Sequence, residues 1–355
     1  MNVIKNLFAI MKAGISGKNI GTSTGLKRLD KATYGIQKRF LYLIGGDTGS
    51  GKTTLAMYYL YSVLNDYFES YKREKENKAE YLPGLKIVYF TLEMSAEVLI
   101  AKLLSLHIYE VHKVIISFDE LFSFNKILDK NKRDLINNCK DWLDAVGEVI
   151  VFISGQKGAS NVESVFRKLF EEHGSFTLNA KNQEVYTLYD SNKEFKFLSF
   201  VDHVGLLPGT KEQKDAVANT LIDYRNICNM TIFAVQQLNR NFKSDFRRDN
   251  NFKYIDLSDF KGTSSFSDAA DVILAIYHAN REQDMSCKGY DINTLKDRFR
   301  LIQILKHRYG VSDTCDACAF YGEVGKWMEL PKPMDLQTMG YSAYMELPTQ
   351  SGNIY

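Results

Sequence analysis

Along the chain, short apolar runs alternate with longer stretches of helical period. The runs FLYLI (40–44), KIVYFT (86–91), VIVFI (149–153), KFLSFV (196–201), TIFAV (231–235), DVILAIY (271–277) and RLIQIL (300–305) are apolar on both faces. A strand with that pattern is one covered on both sides, as in a parallel sheet between two helical layers. Residues 53–72 contain neither Gly nor Pro and predict a helix. So does the stretch from Lys211 to Asn229, and Ser95 is placed to cap a third helix opening at Ser95-Ala96-Glu97. Strands alternating with helices predict an α/β fold, a doubly wound and mostly parallel sheet with helices on both faces.

Several segments stand outside that alternation. Lys72 to Pro83 is charge-dense and reads as a solvated loop, while the alternation of VYTLY (185–189) makes 175–194 a surface hairpin. Within the first 13 residues, Val3, Ile4, Leu7, Phe8, Ile10 and Met11 fall mostly on one helical face. Such a helix either packs on its own domain or docks on a neighbouring subunit. From Leu336 onward there is no clear period, and 336–355 is expected to be a tail.

Composition narrows the class. A length of 355 residues suits one enlarged α/β domain. A net charge of +2 excludes a global basic field, so any nucleic-acid contact must come from local loops, or from loops multiplied in an oligomer. The cysteines at 139, 228, 287, 315 and 318 are too scattered for a disulfide scaffold. Cys315-x-x-Cys318 has no second pair at zinc spacing, and the adjoining ACAFY reads as a strand, so buried strand cysteines are expected. Lys5 and Lys12 break any signal-peptide core, and no apolar stretch approaches the roughly 20 residues of a membrane span. A cytoplasmic setting, in a bacterium or a phage-infected host, is the expectation.

The chemistry centres on IGGDTGSGKTTLA (44–56), directly after the first apolar run. Gly46-x4-Gly51-Lys52-Thr53 is the P-loop pattern: glycines let backbone N–H groups approach phosphates, and the following helix N-terminus favours negative charge. The cradle would comprise Gly46, Asp47, Thr48, Gly49, Ser50, Gly51, Lys52, Thr53 and Thr54. Lys52 would reach the β- and γ-phosphates of ATP or another nucleoside triphosphate, and the Thr53 hydroxyl would bind Mg²⁺. Hydrolysis also needs a carboxylate at the metal and one for the attacking water. Asp202 and Glu93, each at the end of an apolar strand, are placed for those two tasks. Gln237, at the tip of TIFAV, can contact a γ-phosphate, and Lys306 and Arg308, spaced i, i+2, can point the same way into a neighbour's site.

These residues together resemble the ATPase domain of the DnaB-type replicative helicases, which has the RecA-like P-loop fold. The resemblance runs in order through GTSTGLKRLDKATYGIQ (21–37), the P-loop, TLEMSAEVLIAKLLS (91–105), VFISGQKGASNVESVFRKLFEEHG (151–174), FVDHVGLL (200–207), QQLNRN (236–241), LSDFKGTSSFSDAADVILAIY (257–277) and KHRYG (306–310). It implies a ring, most simply a hexamer, translocating 5′ to 3′ on single-stranded DNA at a replication fork. In it Glu93 is the catalytic glutamate, Asp202 the metal-side aspartate and Gln237 the γ-phosphate sensor. Lys306 and Arg308 are then the pair that enters the adjacent subunit. Lys261, Gly262, Thr263 and Ser264 match the loop that grips the single strand in a central channel, a task suited to cations and backbone N–H groups without sequence preference. The basic, aromatic stretch 240–253 either borders that channel or is a solvated loop.

Three departures qualify the resemblance. Only about 20 residues precede the ATPase domain, where the family carries a primase-interacting domain. That suggests a compact phage or mobile-element version, with a separate primase, polymerase or loader as partner. The 175–194 insertion is not typical of the family. The P-loop sequence is of the general RecA type, which keeps open a recombination or repair ATPase of the RecA or RadA kind. Residues 1–20 are expected to be a linker helix, and 21–335 the ATPase domain.

Overall fold

The computed structural model describes residues 3–17, 19–124, 127–155, 158–192, 195–239, 254–260 and 264–349. Thirteen strands are present among them: β1 (Leu41–Gly46), β2 (Gly84–Thr91), β3 (Ile150–Ser154), β4 (Gly174–Leu178), β5 (Glu184–Leu188), β6 (Phe195–Asp202), β7 (Thr231–Gln237), β8 (Val272–Tyr277), β9 (Ser286–Cys287), β10 (Tyr290–Asp291), β11 (Phe299–His307), β12 (Thr314–Tyr321) and β13 (Lys326–Glu329). Nine form one sheet in the order β13-β12-β11-β8-β1-β7-β6-β2-β3. The six strands from β8 to β3 run parallel, and β11, β12 and β13 extend that sheet antiparallel.

The central apolar runs are buried on both faces, as their composition requires, while the edge strand β3 is only partly covered. Leu41 and Leu43 of β1 join one core layer, with Val88 and Phe90 of β2 and Phe166, Phe170 and Leu221 from the helices Ala159–Glu171 and Lys211–Cys228. Tyr42 and Ile44 join the other, with Ile87, Tyr89, and Leu55, Tyr59, Leu99 and Leu103 from Lys52–Glu76 and Ala96–His112. Under that second layer an aromatic row crosses the sheet. Tyr42 stacks on Phe233 at 4.9 Å, Phe233 on Phe200 at 4.7 Å, and Phe200 on Tyr89 at 5.5 Å between centroids. All three pairs are register partners on adjacent strands. A one-residue slip would send each ring to the opposite face, so the row pins the register that aligns the strand ends.

Helix termini follow local chemistry. Ser95 accepts from the Val98 N–H at 3.5 Å, and Thr210 with Gln213 forms a capping box before Lys211–Cys228. Asn229 ends that helix in the left-handed region. The charge-dense stretch expected as a loop from Lys72 is helical as far as Glu76, because Lys, Arg and Glu are good helix formers and the Pro83-Gly84 break comes later. Gly174–Leu178 and Glu184–Leu188 pair as an antiparallel hairpin. Beyond Leu336 the chain is packed: Leu336 and Leu347 are buried, and the Tyr344 and Pro348 carbonyls accept from Tyr321 and Tyr109. Of the two strand cysteines, Cys318 is buried but Cys315 is exposed. Positions i and i+3 of a strand face opposite ways, so the pair cannot share a metal. No helix among the described residues is long and apolar enough to cross a membrane.

Candidate nucleotide site

The carboxyl ends of the central strands meet at one edge. Gly46 of β1 is in register with Gln237 of β7, and Thr91 of β2 with Asp202 of β6. The loop after β1 turns at Gly49 (φ +75°) and Gly51 (φ +104°) before the helix Lys52–Glu76 begins. At Gly51 a Cβ would lie 2.9 Å from the Trp327 ring, so both backbone angle and space require glycine there.

Lys52 is buried, and its Nζ donates to the Asp47 carbonyl at 2.8 Å. Burial holds its pKa below the ordinary lysine value, against the opposing pull of Asp47, Asp202 and Glu93. Thr53 Oγ1 donates to Asp202 Oδ1 at 3.2 Å, and Tyr89 OH donates to Asp202 Oδ2 at 3.3 Å. Asp202 is 4% exposed; desolvation raises its pKa, while the bonds from Thr53 and Tyr89 lower it. Glu93 follows β2 by two residues, with a half-exposed side chain whose Oε2 lies 4.0 Å from His203 Nε2. Gln237 is exposed at its strand tip; the neighbouring Gln236 turns inward and donates to the Phe260 carbonyl at 2.8 Å. Thr54 points elsewhere, lining a small cavity with Met57, Leu103 and Phe118.

The donor set fits a magnesium-bound nucleotide. The hydroxyl of Ser50 is buried within the loop and has no hydrogen-bond partner among the described residues. Thr53 and Asp202 already place two oxygen ligands of the type Mg²⁺ prefers side by side. Among the described residues no cluster of three or more His, Cys, Asp or Glu suggests another metal.

Lys306 and Arg308 are not part of this edge. β11 runs antiparallel to β8, with Lys306 opposite Ile273 and His307 opposite Val272. Lys306 Nζ donates to the Asp268 carbonyl at 3.1 Å. Arg308 N–H donates to the Asp271 carbonyl at 2.8 Å, and its Nε lies 3.3 Å from Asp271 Oδ1. The P-loop instead lies level with Ile276. Five strand residues at about 3.3 Å each put some 16 Å between the two levels, so Arg308 cannot reach its own chain's phosphate loop. Lys261, Gly262 and Thr263 lie outside the described residues, as does 240–253, and Ser264 is the first residue of the helix Ser264–Ala269.

The structure adds residues that the sequence reading did not single out. Arg281 donates to the Thr48 carbonyl and its Nε lies 3.9 Å from Asp47 Oδ2. Arg300, 3% exposed, donates through Nε to the Ser50 carbonyl at 2.9 Å and through Nη1 to the carbonyls of Asp297 and Phe299 at 2.8 Å. Burial brings its pKa down to about 10. The one sequence signal is a charge opening the mostly apolar RLIQIL.

Comparison with known proteins agrees with this geometry. The family model "DnaB-like helicase C terminal domain" matches residues 21–329. The replicative DNA helicases DnaB of two Helicobacter pylori strains are 26% identical over 282 and 286 residues, covering 78% and 79% of this chain and 47% and 48% of the relatives. The chain therefore spans about half the length of the curated relatives it matches. Among solved structures, one ATPase domain superposes with a TM-score of 0.66 at 17% identity, over 93% of this chain and 99% of that one. A DnaB-like replicative helicase, solved for its interactions with primase, gives 0.63 at 18% identity, over 92% of this chain and 66% of that one. The fold is thus the RecA-like one, and the chain belongs to the DnaB-like helicase C-terminal domain family.

Proposed function

We propose that this chain is a replicative helicase motor: it hydrolyses ATP with Mg²⁺ and uses the cycle to move along single-stranded DNA and unwind the duplex. Lys52 and the loop N–H groups hold the phosphates, and Thr53 and Asp202 hold Mg²⁺. Bound there, the metal would supply positive charge against the transferring phosphoryl group. Glu93 orients the attacking water and accepts its proton, and Gln237 contacts the γ-phosphate. The observation that carries the reading is that Thr53 and Asp202 meet at one edge of the sheet while Lys306 and Arg308 stand at the opposite edge. A head-to-tail ring, most simply a hexamer, brings the Lys306–Arg308 edge of one copy onto the Glu93–Asp202 edge of the next.

Two further parts belong to the same reading. The helix Val3–Ile15 exposes Ile4, Leu7, Phe8, Ile10 and Met11, so its apolar side is not buried on its own chain's described residues. We assign it to docking on a neighbouring subunit, where the groove of Ala96, Ile100, Leu104, Leu121 and Phe122 offers an apolar seat. Lys261, Gly262, Thr263 and Ser264 are the proposed contacts to the strand backbone, and translocation runs 5′ to 3′ by family likeness. A separate primase, polymerase or loader would work with the ring.

The test is unwinding of a forked duplex with ATP and Mg²⁺, alongside hydrolysis with and without single-stranded DNA. Unwinding that needs a 5′ tail, stimulated hydrolysis, and loss of both in Lys52→Ala are expected. A confirmed oligomer that hydrolyses ATP without strand stimulation and opens no fork would overturn the reading.

A further inference from the structure

Glu93 sits on the short connection between β2 and the helix Ala96–His112, and its side chain is half exposed. A carboxylate that orients water works only from a narrow range of positions, so something must hold it. Among the described residues it makes no hydrogen bond, and its one ion-pair partner is His203, with Oε2 and Nε2 4.0 Å apart.

The imidazole is itself firmly set. His203 is 8% exposed, and its Nδ1 accepts from the Gly205 N–H at 3.1 Å. A Cβ at Gly205 would lie 2.9 Å from His203 Nδ1 and Cε1, so the glycine leaves the space in which the ring lies over the backbone. A ring nitrogen that accepts from a backbone N–H carries no proton, which places the ring's proton on Nε2. That N–H faces Glu93, and a rotation of the exposed carboxylate closes the 4.0 Å gap to a hydrogen bond.

We propose that His203 is a positioning residue for Glu93: its Nε2–H holds the carboxylate in the attitude from which it orients the attacking water. Gly205 fixes the tautomer by donating its N–H to Nδ1. The proposal rests on the assignment of Glu93 to the water.

The test uses the full chain and measures strand-stimulated ATP hydrolysis and affinity for a fluorescent ADP analogue. The variants are His203→Leu, His203→Gln, His203→Asn, Glu93→Gln and the Glu93→Gln/His203→Leu double. His203→Leu should lower kcat about 10- to 100-fold, the range for removing a bond that orients a working side chain, with analogue affinity unchanged. Gln carries an amide N–H near the position of Nε2 and should recover much of the rate. Asn mimics only the Nδ1 side and should not, and His203→Leu should add no loss to Glu93→Gln. Equal losses in Gln and Asn, or affinity falling together with kcat, would mean a structural role only and overturn the proposal. A dead Glu93→Gln beside a fully active His203→Leu would overturn the proposal alone. Full hydrolysis by Glu93→Gln would overturn the assignment beneath it.

Discussion

The separation of Arg308 from its own phosphate loop makes a quantitative prediction about mixed assemblies. Arg308 is tied to Asp271 at the amino end of β8, about 16 Å in strand rise from the level of the P-loop. If its task is at a neighbour's nucleotide, Arg308→Ala leaves the subunit's own binding site intact and disables the site next door. Glu93→Gln does the reverse. Each variant alone should lose roughly 10³-fold or more in hydrolysis, the scale of an arginine finger or a water-orienting acid. In a randomly mixed ring of the two, about one interface in four combines an intact Glu93 with an intact Arg308, by the pairing statistics of a head-to-tail contact. Equal mixing should therefore restore roughly a quarter of wild-type turnover if sites fire independently. The assay is steady-state phosphate release after subunit exchange, with exchange confirmed by energy transfer between labelled copies. A well-exchanged mixture no more active than its parents would refute the trans assignment. So would an Arg308→Ala protein that turns over normally by itself.

Other consequences can be checked singly. A Cβ at Gly45 would run into the Phe260 ring, so Gly45→Ala should cost about 1–3 kcal/mol in denaturant unfolding, and Phe260→Leu in the same chain should return part of that loss. Arg300→Lys cannot reproduce the planar fork on the Ser50, Asp297 and Phe299 carbonyls; nucleotide affinity measured by titration should drop about tenfold while the far-ultraviolet spectrum stays the same. Burial, opposed by Arg28, raises the Asp316 carboxyl to about 6. The folded chain then binds a proton there that the unfolded chain has released, so stability should fall as pH rises from about 4 to about 6, by some 2–3 kcal/mol. Asp316→Asn should flatten that slope, and an unchanged slope would exclude Asp316 as its source.

The parallel half of the fold was legible because each of its strands is a compact apolar run, and Glu93, Asp202 and Gln237 were legible because each closes or follows one. Chemistry at the end of an apolar strand announces itself in a single short window. Arg281, Arg300 and Trp327 did not, because their partners lie more than 200 residues earlier in the chain, and no local pattern says which strand will cross the phosphate loop. The short helices Phe118–Leu121, Lys130–Asn138 and Lys140–Val149 were also unread. The first two bury only side chains of a small apolar cluster around Leu104, Ile108 and Ile116, and the third adds just Val146 and Val149 as buried residues to the main core, too little to stand out as a period. The end of the first long helix was misplaced for the opposite reason: its last turn is all charge, and charge alone does not distinguish a loop from a solvated helical end.

Asp271 has one more set of bonds. Its Oδ2 accepts from the Leu41 N–H at 2.9 Å and from Arg225 at 3.0 Å, and its N–H donates to the Leu41 carbonyl at 2.9 Å. Leu41 opens the strand whose last residue, Gly46, opens the phosphate loop. The same six residues therefore have the anchor of Arg308 at one end and the P-loop at the other, buried along their whole length. A strand so enclosed has little freedom to bend, and an axial displacement at either end arrives at the other almost undiminished. On the proposed assignment of Arg308 to a neighbour's nucleotide, the strand would serve as a push-rod: a shift of the loop would be delivered, six residues away, to the cation offered to the next molecule.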